Sequence, residues 1–153
     1  MELPINPHAF RIWVPAFVTW NNRNSGIRRP STEREVAAHR GIFARPTLAE
    51  GNVIAFLRNI CPSSDLEDTL RYGRSARISE ELRRILTSGS LSGVARRMED
   101  LRLFPEGNGR CGRTLEMWSR IALRQRLPRE WQATKHNDGP GPDFLRPETV
   151  TYN

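Results

Sequence analysis

The sequence predicts a mainly α fold, and three observations carry the prediction. Thr47 followed three residues later by Glu50 has the spacing of a helix capping box, and it opens an apolar stripe at Val53, Phe56, Leu57 and Ile60. Two further stripes of helical period follow, one at Leu91, Val94, Ala95, Met98 and Leu101 and one at Cys111, Leu115, Trp118 and Ala122. Breakers stand where each segment must stop: Pro62, then Pro105 with Gly107, then Pro128.

Upstream of Thr47 the pattern changes. HAFRIWVPAFVTWNN is rich in aromatic and β-branched residues and is interrupted by Pro15, which predicts an extended or irregular segment laid on the core, with residues 1–26 as an N-terminal extension. NSGIRRPSTERE reads as loop. EVAAHRGIFARP has a strand-turn-strand look, with Val36, a turn at Gly41, and Ile42 and Phe43 before Pro46, which predicts a short β-hairpin. Downstream, residues 64–72 predict a short helix, and Ser79 is placed to cap another that carries Leu82, Ile85 and Leu86. The main core is expected over residues 27–127, and residues 136–153 form a polar tail rich in Gly and Pro. A length of 153 residues without an internal repeat predicts one domain.

Composition narrows the classes. No apolar run approaches the length of a membrane span, so a membrane partner is not expected. MELPINPHAF has neither the basic start nor the apolar stretch of a secretory signal, so the expected location is cytoplasmic, or outside the cell by a route that leaves no such mark. Cys61 and Cys111 are then free thiols. The net charge of +7 comes almost wholly from arginine, with Lys135 the single lysine, and the arginines are scattered rather than gathered in a stripe. Nucleic acid is therefore a disfavoured partner. Trp13, Trp20, Trp118 and Trp131 are expected as core and rim packing rather than as a base-stacking platform.

The stretch that carries chemistry is RLFPEGNGRCGR, Arg102 to Arg113. Its glycines allow a sharp turn and a close backbone approach, and its amides open the first turn of the following helix. Free N–H groups and the positive end of a helix dipole make an anion site, with Arg110 and Arg113 beside it as fixed positive charge. Asn108 can donate to a phosphate oxygen or hold the turn together. Glu106 is either a Mg²⁺ ligand bridging to phosphates or a charge favourable to the helix start.

This stretch resembles the signature of Fic domains, H-x-F-x-[D/E]-G-N-G-R-x-x-R. Phe104, Glu106, Gly107, Asn108, Gly109, Arg110 and Arg113 match it in register, seven of eight specified positions. The resemblance implies a bundle of about six helices with the hairpin as a flap, in which Gly41, Ile42 and Phe43 would dock a target. It implies transfer of the AMP part of ATP to a hydroxyl of a protein or small-molecule target. Glu106 would hold Mg²⁺ against the diphosphate, while Gly107, Asn108, Gly109 and Arg110 would cradle the phosphates. Arg113 would neutralise phosphate charge or brace the loop, and Phe104 would anchor it in the core.

The departure is Arg102, which stands where the family has the histidine that takes the proton from the target hydroxyl. A guanidinium stays protonated at any working pH and cannot be a general base. On a helical wheel Arg102 shares a face with Leu91 and Ala95, so it is expected to point inward and to meet an anion, either a phosphate or Glu106. Two expectations stand side by side: altered nucleotidyl transfer, or a catalytically inactive module that binds a nucleotide or a partner. His39, expected at the flap surface, and His136 are the remaining imidazoles near enough in sequence to replace the base, since His8 lies far upstream. PTLAEG places Glu50 before Gly51 as in the family's inhibitory helix, yet Pro46 stands at its Ser/Thr position. A separate inhibitor protein, or none, is the expectation.

Overall fold

The computed structural model describes residues 7–72, 75–87 and 91–122. Seven helices occupy them: α1 Pro7–Arg23, α2 Glu33–Phe43, α3 Glu50–Ile60, α4 Ser64–Tyr72, α5 Ser75–Thr87, α6 Val94–Leu101 and α7 Asn108–Ala122. The mainly α expectation holds. Among the described residues there is no strand, and the region expected as a hairpin is α2. His136, Trp131 and the tail from 136 to 153 lie outside the described residues.

The reason for a helix at α2 is a cap. The Thr32 side chain accepts from the Glu35 backbone N–H, and the Glu35 carboxylate accepts from the Thr32 N–H at 2.8 Å, a reciprocal capping box. From that start the chain buries Glu35, His39, Ile42 and Phe43 on one face, the i, i+4, i+7, i+8 pattern of a packed helix. Ile42 and Phe43 are therefore core residues, unable to dock a target from a flap, and Gly41 is an exposed position within the helix.

The expected extended segment at the N-terminus is also a helix. In α1, Trp13, Val14, Phe17 and Val18 are fully buried and form a helical stripe, with Pro15 accommodated inside it. Packing of that stripe overrides the weak local preferences of β-branched residues. Trp13, Phe17 and Phe43 form a cluster with ring centroids 5.2–5.3 Å apart, so α1 is part of the core rather than an extension to it.

Two further boundaries differ. Ala49, not Thr47, precedes α3, and its N–H donates to the Asn52 side chain at 2.9 Å. Ser79 lies inside α5, which begins at Ser75. The apolar stripes at Val53, Phe56, Leu57 and Ile60 and at Leu82 and Ile85 are buried as expected.

The central element is α7, which contacts α1, α2, α3 and α6. It is buried nearly all round, from Gly109 and Arg110 through Leu115 and Trp118 to Ile121. Its closest approach is to α6. A Cβ at Gly112 would lie 2.8 Å from the backbone N and 2.9 Å from the Cβ of Ala95, so only glycine lets the two helices come this close.

Candidate functional site

The loop from Arg102 to Gly107 joins α6 to α7. It begins with Arg102 in the left-handed region, φ 46° and ψ 52°, as the C-cap of α6, with its N–H donating to the Glu99 carbonyl at 3.2 Å. Among the described residues it is the one non-glycine with positive φ. The helix ends at Leu101, so the helical wheel no longer applies one residue later. Arg102 consequently does not point inward. Its side chain is exposed and makes no ion pair with Glu106 or any other described acid.

Leu103 and Phe104 then turn into the core, at 7% and 2% exposure, which anchors the loop from below as expected. Asn108 clamps it: its Oδ1 accepts from the Phe104 N–H at 3.0 Å and its Nδ2 donates to the Phe104 carbonyl at 2.8 Å. Both ends of the Asn108 amide are thus used to hold the turn. Gly107 takes φ 82°, and a Cβ there would lie 2.7 Å from Cys61 Sγ. The first α-helical bond of α7 runs from the Cys111 N–H to the Gly107 carbonyl at 2.9 Å, leaving the amides before it without an i−4 partner in the helix.

A pocket of about 760 Å³ opens beside this helix start. Arg77 and Ile78 of α5, Glu99 of α6, Arg102, and Asn108 and Gly109 of α7 line it. Of the residues expected to form the site, the structure brings Arg102, Asn108 and Gly109 together here. Glu106 is exposed and does not line this pocket, and it has no hydrogen-bond or ion-pair partner among the described residues.

Arg110 and Arg113, in the first turns of α7, do not line this pocket. Arg110 is buried, and its Nη1 donates to Asn22 Oδ1 and to Glu35 Oε2, both at 3.3 Å, while Nη2 donates to Cys61 Sγ at 3.0 Å. Glu35 also accepts from Arg29 at 2.8 and 3.1 Å. Burial alone would push its carboxyl pKa up, but the Arg29 guanidinium and the Thr32 backbone N–H outweigh it and hold the pKa at about 2. Arg113 donates from Nε to Asn21 Oδ1 at 2.7 Å and from Nη2 to the Asn21 carbonyl at 3.1 Å and to Ser25 Oγ. Its Nη1 lies 3.6 Å from Glu99 Oε1. Bracing, one of the two roles expected for Arg113, is the one its contacts serve.

Asn21 is the hub beneath the loop. Its Nδ2 is shared between the Arg110 carbonyl at 3.0 Å, Thr114 Oγ1 at 3.0 Å and His39 Nε2 at 3.2 Å. His39 is not at the surface but fully buried, with its ring 4.7 Å from that of Phe56. Its Nδ1 lies 2.7 Å from the Glu35 carbonyl, which can only accept, so Nδ1 carries the proton and Nε2 accepts from Asn21. Sealed from the pocket, His39 is a structural imidazole. Burial pushes Cys61 and Cys111 above the ordinary thiol range, consistent with packing roles.

Asn21, Asn22, Glu35, Arg77 and Glu99 carry no motif of their own, although the Thr32-x-x-Glu35 spacing was a usable helix-start signal. As for a metal, no group of three ligating side chains occurs among the described residues. An unpaired carboxylate such as Glu106 still fits the way Mg²⁺ is held by one carboxylate with waters and substrate phosphates. Compared with known proteins, the chain matches no protein-family model, no curated protein and no solved structure.

Proposed function

We propose that the chain is a Fic-like domain that binds a nucleotide or another diphosphate at the start of α7. The observation that carries this reading is the in-register match of Phe104 to Arg113 to the Fic signature at a helix-to-helix joint beside an open pocket. The phosphates would meet the amides of Asn108 and Gly109, with Arg102 and Arg77 supplying charge from the pocket wall. Glu106, exposed on the loop but not lining the pocket, would reach a Mg²⁺ on those phosphates through coordinated water, and the metal would neutralise phosphate charge. Arg110 and Arg113 would act indirectly, by fixing α7 onto α1 and α2. Nucleotidyl transfer to a hydroxyl is altered or lost, since Arg102 cannot take a proton.

A second reading is a module that has lost catalysis and serves a partner. It is favoured by the internal use of Arg110 and Arg113, neither of which lines the pocket. Thermal unfolding with ATP and Mg²⁺ separates the two. Stabilisation that is lost in the exposed-residue variants Arg102→Ala and Arg77→Ala supports the nucleotide pocket. No stabilisation at millimolar ATP would leave only the partner-binding module. Labelling from ATP that appears in Arg102→His and not in the native chain would identify a transferase that has lost its base.

A further inference from the structure

We propose that Glu99 is the proton acceptor of the pocket, taking the proton from the attacking hydroxyl in the nucleotidyl transfer considered above. The inference rests on that reading and supplies the function that Arg102 cannot perform. The first observation is elimination. Among the described residues that line the pocket, Glu99 alone carries a carboxylate or imidazole: the others are arginine, apolar, amide, hydroxyl or glycine. His39 is fully buried elsewhere, and Glu106 does not line the pocket.

The second observation is placement. Glu99 stands on the last turn of α6, three residues before Arg102, and the two are tied by the bond from the Arg102 N–H to the Glu99 carbonyl. Its side chain is 53% exposed, so a substrate hydroxyl can reach it, and Arg113 Nη1 stands 3.6 Å from Oε1. Arg113 is itself fixed by its hydrogen bonds to Asn21.

The third observation is Gly109. A Cβ at this position would collide with Glu99 Oε1, so the glycine at the helix start is the space in which the carboxylate sits. The carboxylate therefore sits beside Gly109, one of the two residues whose amides are proposed to hold the phosphates.

The step balances without a further reagent. Glu99 removes the proton of the hydroxyl, and the oxygen forms a bond to the α-phosphorus of a nucleoside triphosphate. The bond from that phosphorus to the bridging oxygen breaks, and pyrophosphate leaves with the electron pair. The carboxylic acid then returns its proton to solvent.

The test uses the full chain with Mg²⁺ and ATP labelled at the α-phosphorus. Thermal shift reads binding; pyrophosphate release, with water or a hydroxyl of the chain as acceptor, reads turnover. The expected result is that the native chain binds and turns over slowly. Glu99→Gln keeps the thermal shift and loses turnover by about 100-fold or more. Glu99→Asp, which retains a carboxylate, keeps the thermal shift with a smaller loss of turnover. A salt-bridge role alone would lower the melting temperature of Glu99→Gln without ATP and leave the turnover of the folded chain unchanged. Equal turnover by Glu99→Gln overturns the proposal, as does ATP binding by the native chain without pyrophosphate release, and in both cases the nucleotide pocket stands. Absence of any thermal shift in the native chain overturns the pocket and the proposal together.

Discussion

Arg110 turns its guanidinium away from the pocket beside its own backbone and onto Glu35, Nη1 to Oε2 at 3.3 Å, with both side chains less than a tenth exposed. An arginine of the glycine loop thereby becomes the clamp between α7 and α2. Its charge is balanced inside the fold, and the loop shape depends on an acid far upstream.

Removing that acid is expected to be costly. Glu35→Gln leaves Arg110 buried without a counter-charge, for a loss of about 3 kcal/mol in urea unfolding. Arg29, which also pairs with Glu35, loses its partner in the same variant, but it is half exposed and water can take the place of the carboxylate. Glu35→Leu combined with Arg110→Met is expected to be less destabilised than the sum of the single changes, because no orphan charge remains. Simple additivity would contradict the clamp.

The α2 helix offers a second check. Gly41 lies inside it, exposed, with no atom within 4 Å of where a Cβ would stand. Gly41→Ala is therefore expected to stabilise the chain by ~0.5–1 kcal/mol, since alanine is the better helix residue and meets no obstacle. Had this glycine served a hairpin turn, the same change would lower the melting temperature.

Why α2 was hidden, and α3 to α7 were not, has a physical answer. The downstream helices announce themselves by apolar stripes and breakers, signals that are local in the chain. In α2 the strongest local signal, Thr32 with Glu35, lay in a stretch that looked like loop, and Gly41 looked like a turn. In α1 Pro15 outweighed the stripe of Trp13, Val14, Phe17 and Val18, whose helical form is stabilised by burial against Phe43. The loop itself was legible to the same extent. Gly107 and Asn108 act on their neighbours, and the turn they make follows from their identity. Glu35, Asn21 and Asn22, which receive Arg110 and Arg113, arrive through tertiary packing that no local pattern encodes.

Arg102 carries a cost of its own. A helix C-cap at φ 46° favours glycine, and a longer side chain there is strained. Arg102→Gly is expected to raise stability by about 1 kcal/mol while weakening any stabilisation by ATP and Mg²⁺. The opposite signs, read in one thermal-shift series, would mark a residue kept for its charge rather than its backbone. A loss of stability in the glycine variant would contradict the strain.

Acid should unfold the chain through His39. Burial lowers its pKa to about 4 from an ordinary 6.5; the hydrogen bond to the Glu35 carbonyl and the Glu35 charge oppose the shift, and Arg110 adds to it. The folded state thus binds the proton less readily than the unfolded state does. Stability is fully present above pH 6.5 and falls as the pH drops toward 4, by on the order of 3 kcal/mol. The geometry gives the same sign, because a proton on Nε2 would face the donor Nδ2 of Asn21. Glu35, held at about 2, extends the loss below pH 4.5. Urea unfolding between pH 7 and pH 4 reads the first window, and His39→Gln, which can still accept from Asn21, is expected to flatten it. A native chain equally stable at pH 6.5 and pH 4.5 would contradict the buried neutral imidazole and the Asn21 network built on it.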